Sequence, residues 1–228
     1  MHLFYRVSSL PSWRVQIFLS EKGVQYDSTV YTIAEVKSKP EALLKVNPRS
    51  RVPSLKDGDV DIYESMAILT YLEQKFGALG PSITEPKARA RVLTRTHEIL
   101  NYFTDVAAAF VRPLVTGQKD ADAFKKYEEF VVELKTWEGY LNDANYVACS
   151  DFSLTDTMIL PDLYTLERFG IDFEALGFHK IHDYIERNRS RPSIVETFPK
   201  EWLGTTSPHS NKIALFVEEY TKYKNGQQ

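Results

Sequence analysis

The sequence predicts an α/β region over residues 1–77, a linker over 78–87 and a nearly all-α region over 88–228. Three observations carry that division. β-rich and helical segments alternate up to Phe76, opening with a strand, a helix and a strand. Gly77-Ala-Leu-Gly-Pro-Ser82 is punctuated in the way that separates elements. Beyond it, apolar residues recur at spacings of three and four, and the strand signals stop.

His2 to Tyr5 is a short strand candidate. Ser12 is expected to cap a helix running to about Lys22, because Val15, Phe18 and Leu19 mark one apolar face and Gly23 ends it. Gln25 to Thr32, with Tyr26, Val30 and Tyr31, is a second strand, and strand–helix–strand order favours a parallel pair. Glu35 to Val46 reads as one short, irregular helix. Ser54–Lys56 and Val60–Tyr63 flank Asp57-Gly58-Asp59, and Asp-Gly between β-rich residues is a strong hairpin signal. Ser65 to Phe76 is helical, with Ile68, Leu69, Leu72 and Phe76 on one face. The order β-α-β-α-β-β-α is that of a thioredoxin-like domain.

In the second region, Val92, Thr96, Ile99, Phe103, Val106 and Phe110 predict one long helix, and Tyr127, Phe130, Val131, Leu134 and Leu141 mark its partner. Ser153-Leu-Thr-Asp156 is a variant capping box. It opens a helix in which Pro161 is expected to kink or displace a turn. Phe178 to Asn188 is a further helix. Ser207-Pro208 reads as an N-cap with proline at the first helical position. Ile213, Phe216, Val217 and Tyr220 follow on a final amphipathic helix.

The chain has 228 residues, 43% hydrophobic and 26% charged, enough for a full core in one large or two small domains. A net charge of -3 without blocks of like charge offers no electrostatic case for nucleic acid or an anionic membrane. No apolar run approaches the roughly 20 residues of a membrane span. The opening MHLFYRVSS lacks the apolar core of a signal peptide. Cys149 is the single cysteine, so no internal disulfide forms, and a cytoplasmic location is expected. The histidines are scattered. His179 and His182 share a helix without a third ligand, so no metal site is expected.

The stretch NPRSRVPSLKDGDVDIYES, Asn47 to Ser65, suits a short peptide ligand. Pro53 at a strand start holds the chain in a shape that exposes the Val52 backbone. Glu64 and Ser65 present a carboxylate, a hydroxyl and free N–H groups at a helix start. A peptide with an amine at one end and a thiol in the middle fits such a surface. Plainer readings stand beside these: Pro53 as a trans proline opening an edge strand, Glu64 and Ser65 as helix caps, Ser9 as a turn serine.

Three motifs stand in order: SSLPSWRV (8–15), NPRSRVPSL…YES (47–65) and FSLTD (152–156). With them, nearly the whole chain resembles the cytosolic glutathione S-transferases. LKTWEGYL (134–141) and RPSIVETFPKEWL (191–203) are most similar to the rho class of aquatic animals, with zeta and theta next nearest. One departure is Cys149, which stands where the family usually has glycine. It either alters that loop or shows that the position needs no positive φ.

The resemblance implies glutathione as cosubstrate with no prosthetic group, and a homodimer. It implies conjugation of the glutathione thiolate to small hydrophobic electrophiles, a detoxification chemistry. Ser9, five residues before Arg14, is the implied catalytic hydroxyl. Ser8 is one residue away, and Tyr5 is the rival, since other classes use a tyrosine from the first strand. Pro53 resembles the family's cis-proline, with the Val52 backbone pairing the cysteinyl part of glutathione like an added strand. Glu64 and Ser65 are implied to hold the γ-glutamyl end. Arg51 sits where the family often has a polar or basic contact. Lys39, or Lys37 with a one-residue shift, is implied to reach the glycyl carboxylate, although either reads first as a plain solvated lysine. Leu10, Trp13, Tyr102, Phe103, Val106, Phe110 and Phe216 are candidate walls for the second substrate, although a stripe at helical spacing also reads as plain core.

The chemistry sets a modest demand. A free thiol has a pKa of about 8.5, and only the thiolate is a good nucleophile. Lowering that pKa by about two units takes about 2.7 kcal/mol of selective stabilisation. A hydrogen bond to a charged group supplies roughly 1.5–3 kcal/mol, and a helix N-terminus roughly 0.3–1 kcal/mol. One hydroxyl beside a helix start therefore suffices without a general base. Two other readings are a zeta-like maleylacetoacetate isomerase, which needs a more polar acceptor pocket, and a non-catalytic ligand-carrying or crystallin-type relative. A thiol-disulfide reductase needs a cysteine near position 9, and none is there.

Overall fold

Four strands, β1 (His2–Arg6), β2 (Asp27–Tyr31), β3 (Ser54–Asp57) and β4 (Val60–Tyr63), form one sheet in the order β2-β1-β3-β4. The computed structural model describes residues 1–82, 84–142 and 144–226. The linker expected over 78–87 includes Ile83, which lies outside the described residues. β1 and β2 are parallel, joined across α1 (Leu10–Glu21), while β3 runs antiparallel to both β1 and β4. Phe4 pairs with Ser54, and Ser54 with Tyr63, while Arg6 pairs with Tyr31. This register brings the exits of β1, β2 and β4 and the entry to β3 to one end of the sheet.

Leu3 and Leu55 of the sheet, Val15, Phe18 and Leu19 of α1, and Ile68, Leu69 and Leu72 of α4 (Ser65–Phe76) are fully buried together. A smaller cluster of Phe4, Leu43 and Val46 forms separately, with Tyr31 and Val52 against it. Helix α1 begins earlier than expected. Its N-cap is Ser9, and Ser12 is a buried helical residue. The reason is Pro11, whose missing N–H and fixed φ suit a first turn. The single helix expected over 35–46 is two, α2 (Ile33–Lys37) and α3 (Glu41–Val46). Lys39 turns the chain with φ 55°, and Pro40 disfavours a helical residue before it.

The helices α5 (Pro86–Glu98) and α6 (Thr104–Thr116) meet at a π turn, Ile99–Phe103. The wider turn resets the helical phase. The buried stripe therefore continues Phe103, Ala107, Phe110, Leu114, and Val106 is only half-buried. α7 (Ala121–Tyr140), α8 (Leu154–Arg168), α9 (His179–Arg189) and α10 (Pro192–Thr197) follow. A 3-10 turn, Lys200–Trp202, and α11 (Lys212–Asn225) complete the described order. The Asp156 carboxylate caps α8 as expected, accepting from Ser153 N–H and Ser153 Oγ at 2.8 Å each, and also from the Tyr184 hydroxyl at 2.8 Å. The final helix starts at Lys212 rather than beside Ser207-Pro208. Ser207 instead accepts from His209 N–H at 3.2 Å and closes a local turn.

Helix α8 is buried along most of its length, and α1 packs on it. Arg14 of α1 donates to Asp162 Oδ2 at 2.6 Å, to the Met158 carbonyl at 3.0 Å and to Thr104 Oγ1 at 3.2 Å. Thr104 in turn donates to Asp162 Oδ1 at 3.2 Å. The helix runs on through Pro161, and the Met158 carbonyl that Arg14 takes lies in the turn ahead of that proline. A second buried pair, Glu73 with Arg89, joins α4 to α5. Glu73 also accepts from Leu79 N–H at 3.2 Å, and Arg89 donates to the Leu79 carbonyl at 3.4 Å.

Arg14→Met leaves the Asp162 carboxylate buried with Thr104 as its remaining partner. Such a loss costs about 3–5 kcal/mol, whereas removing both charges together costs far less. Urea unfolding is expected to show that loss for Arg14→Met and substantial recovery in Arg14→Met with Asp162→Leu. A single-variant loss below about 1 kcal/mol contradicts the buried-pair account.

Candidate active site

The end of the sheet where β1 and β4 exit and β3 enters gathers most of the residues singled out above. Ser9 ends the turn out of β1, its N–H donating to the Arg6 carbonyl at 3.2 Å. As N-cap of α1 its carbonyl accepts from Trp13 N–H at 2.8 Å, yet its side chain makes no capping bond. A capping serine ordinarily accepts from the second or third helical N–H. Here the second position is Pro11, which has none, and no bond to the N–H of the third, Ser12, is made. The Ser9 hydroxyl is therefore left uncommitted at a helix N-terminus, and the residue is 6% exposed. Ser8 differs: its φ is 57° and its hydroxyl is bonded to the Glu201 carboxylate. Tyr5 lies within β1 opposite Val30, half-buried on the sheet.

The Val52-Pro53 bond is cis. Val52 precedes β3, and among the described residues neither its N–H nor its carbonyl has a hydrogen-bond partner. The loop that presents it is tightly held. Buried Asn47 donates to the Arg51 carbonyl at 3.0 Å and to Ser54 Oγ at 3.1 Å, and its own carbonyl accepts from Arg49 N–H at 3.0 Å. Ser50 Oγ reaches the Val36 carbonyl at 3.4 Å, tying α2 to this loop. These supports went unassigned in the sequence, where Asn47 is only the start of the stretch. Arg51, Lys37 and Lys39 are exposed around the loop.

Glu64 adopts φ 70° and ψ 120° as N-cap of α4, without a side-chain cap, and Ser65 opens that helix. A non-glycine residue held at positive φ stores of order 1–3 kcal/mol and is found most often at ligand clamps. The hairpin before it is fastened to α4 through Asp57, which accepts from the Tyr71 hydroxyl at 2.7 Å and from Lys75. Those bonds hold the Asp57 carboxyl below its ordinary value of 3.8.

The expected walls divide. Leu10 opens α1 half-buried, Tyr102 is 59% exposed on the π turn and Val106 is half-buried. Trp13 is buried, its indole N–H donating to Thr197 Oγ1 at 2.9 Å. Phe103, Phe110 and Phe216 are core residues, a correction to their place on the wall. Phe103 packs on Trp137 at 5.6 Å between centroids, and Phe110 packs on Phe130 at 4.8 Å and Phe216 at 5.8 Å. Their helical spacing is the same for a core and for a pocket, so periodicity alone did not separate them. Cys149 is half-buried and its φ is not positive. The position thus accepts a side chain, and Sγ donates to the Asp151 carbonyl at 3.1 Å. The close approach is made instead by Gly80, where an added Cβ would lie 2.8 Å from Ser153 Cβ. Among the described residues no three metal-ligating side chains gather, and no helix is long and apolar enough to cross a membrane.

A thioredoxin-like sheet with unpaired backbone just ahead of a cis-proline, followed by a helical region, is the architecture of the glutathione transferase fold. A family model described as "Glutathione S-transferase, N-terminal domain" matches residues 3–82. Glutathione S-transferase A of Pleuronectes platessa is 31% identical over 211 residues, covering 89% of this chain and 93% of that protein. The chain belongs to the glutathione S-transferase family. The fish relative accords with the aquatic-animal class that its motifs resemble. A glutathione S-transferase from the Antarctic clam Laternula elliptica superposes with a TM-score of 0.82 at 31% identity, covering 92% of this chain and 96% of that one. A stringent starvation protein A homolog of Haemophilus influenzae is 27% identical, covering 86% of this chain and 89% of that protein.

Two measurements test the supports of the site. Glu64→Gly relieves the positive φ and is expected to raise unfolding stability by up to about 1 kcal/mol, net of glycine's greater chain entropy; a fall in stability contradicts the strain. Because the folded pKa of Asp57 is depressed, its contribution is full above pH 3.8 and is lost as pH falls through the folded value. Asp57→Asn is expected to flatten that acid limb of the stability–pH curve, and an unchanged limb removes Asp57 as its cause.

Proposed function

We propose that the chain conjugates the thiolate of glutathione to small hydrophobic electrophiles. The observation that carries this is the uncommitted Ser9 hydroxyl at the α1 N-terminus, on the same sheet end as the unpaired Val52 backbone. In this reading Ser9 donates to the glutathione sulfur and favours its thiolate. The Val52 N–H and C=O, just ahead of cis Pro53, pair with the cysteinyl backbone, and Ser65 with the α4 N–H groups takes the γ-glutamyl carboxylate. Glu64 faces its ammonium, and Arg51 and Lys39 supply positive charge for the glycyl carboxylate.

The sulfur then forms a bond to the electrophilic carbon, the leaving group departs with its electron pair, and the thiol proton has already passed to solvent. Leu10, Tyr102 and Val106 are the apolar contacts retained for the second substrate. Residues 1–77 would form the glutathione-binding domain and 88–228 the helical one, in a cytoplasmic homodimer acting in detoxification. A non-catalytic ligand-binding relative on this fold is the second reading; a relative not named as a transferase, a stringent starvation protein A homolog, is 27% identical to the chain.

Conjugation of chlorodinitrobenzene separates these readings. Ser9→Ala is expected to raise the kinetic pKa of bound glutathione by about one to two units and to cut kcat/KM at mildly acidic pH roughly 10- to 100-fold. Tyr5→Phe and Ser8→Ala are expected to change it less than about threefold. Full activity in Ser9→Ala with loss in Tyr5→Phe reassigns the catalytic hydroxyl to Tyr5. Glutathione binding without conjugation of any electrophile favours the second reading.

A further inference from the structure

A recess of about 500 Å3 runs alongside α1 and β2, beneath the segment 196–201. That volume lies within the roughly 300–1,000 Å3 of small-molecule sites. None of Ser9, Val52, Pro53, Glu64 or Ser65 lines it. Segment 196–201 is fastened at three points, two on α1 and one on the turn before it. Ser20 Oγ donates to the Glu196 carboxylate, Trp13 Nε1 to Thr197 Oγ1 at 2.9 Å, and Ser8 Oγ to the Glu201 carboxylate. Ser8 precedes α1 and Ser20 lies in its last turn, and a helix of 12 residues spans roughly 18 Å at about 1.5 Å per residue. The two carboxylates, held at those two points, are therefore well separated along the recess.

Neither carboxylate has a cationic partner among the described residues. Each accepts one serine hydroxyl through a single oxygen, Oε1 of Glu201 and Oε2 of Glu196, so the second oxygen of each remains open. Tyr5, Tyr26 and Phe198 line the same recess. Burial raises the Tyr26 pKa, opposed by a hydrogen bond from Gln16 and reinforced by Tyr5 and Glu196, so this hydroxyl stays neutral. Lys200 is the one cation among the lining residues. Two separated carboxylates with aromatic side chains in the same recess reject an anionic peptide such as glutathione. They complement a chain with a cation at each end and methylenes in the middle.

We propose that this recess binds a linear oligoamine, its terminal ammonium groups at Glu196 and Glu201 and its methylenes against Phe198, Tyr5 and Tyr26. Ammonium groups beside aromatic faces gain a further cation–π contribution. The site stands apart from the glutathione reading and does not depend on it.

Calorimetric titration of the whole chain with spermine at low ionic strength tests the assignment. Glu196→Gln with Glu201→Gln keeps both serine contacts and removes both charges; it is expected to weaken spermine binding at least tenfold. Lys200→Ala is expected to tighten it severalfold. Asp59→Asn with Glu218→Gln changes the net charge equally at exposed positions elsewhere and is expected to bind as the wild type does. A monoamine of matching length is expected to bind at least tenfold more weakly, and saturating glutathione to leave spermine binding unchanged. Absence of spermine binding overturns the proposal. So does equal weakening in the Asp59/Glu218 control, unchanged affinity in the Glu196/Glu201 variant, or displacement by glutathione.

Discussion

The buried guanidinium of Arg14 is the contact on which the arrangement of this molecule turns. It lies on the helix that begins at Ser9, and it reaches a carboxylate and a carbonyl of α8 and the hydroxyl that opens α6. A charge this deep is tolerable because a carboxylate, a carbonyl and a hydroxyl accept from it, whereas an unpaired buried ion costs several kcal/mol. The match therefore constrains three helices at once. It sets where α1 sits, and α1 sets where the Ser9 turn leaves the sheet. Glu73 and Arg89 repeat the device at the seam between α4 and α5, with the Leu79 backbone closing the network.

The sheet contributes the second constraint, which is one of register. The row Phe4–Ser54–Tyr63 carries the cis Val52-Pro53 entry, the Ser9 turn and the Glu64-Ser65 helix start to one end. A slip of one residue would reverse every side chain of a strand, so this convergence is as specific as the core beneath it. The candidate site lies where backbone polarity is unpaired: at the uncapped start of α1, at the Val52 amide plane and at the positive-φ start of α4. The apolar helices behind it exclude water and supply rigidity. Their aromatic residues Phe103, Phe110 and Phe216 serve that interior, and the exposed face is left to Tyr102.

Much of this was legible in the chain itself. The strand–helix–strand opening, the Asp57-Gly58 hairpin, the bounds of the Ser65–Phe76 helix and the Asp156 cap follow from local rules, because each rests on interactions between residues a few positions apart. The errors fall where two local rules competed. Ser12 and Ser9 both suit an N-cap, and Pro11 decided between them by fitting the first turn. Ser207-Pro208 has the form of a helix start, yet its hydroxyl closes a turn ahead of α11. The π turn at Ile99–Phe103 left no mark in the hydrophobic spacing, since a stripe of threes and fours tolerates one inserted residue.

By itself the sequence determined the class of elements, their order and the residue types available for gripping a peptide thiol, because periodicity, turn chemistry and capping act over short separations. Only the tertiary structure decided which serine keeps a spare hydroxyl and which aromatics are core. It also decided that Arg14 finds Asp162 across the helical region and that Glu196 and Glu201 line a recess beside α1. The last two depend on contacts between residues about 150 or more positions apart, and the packing of Phe103 and Phe110 on contacts 20 or more positions apart. Such contacts are selected by burial and by the need to pair every buried polar group, and a linear pattern records neither.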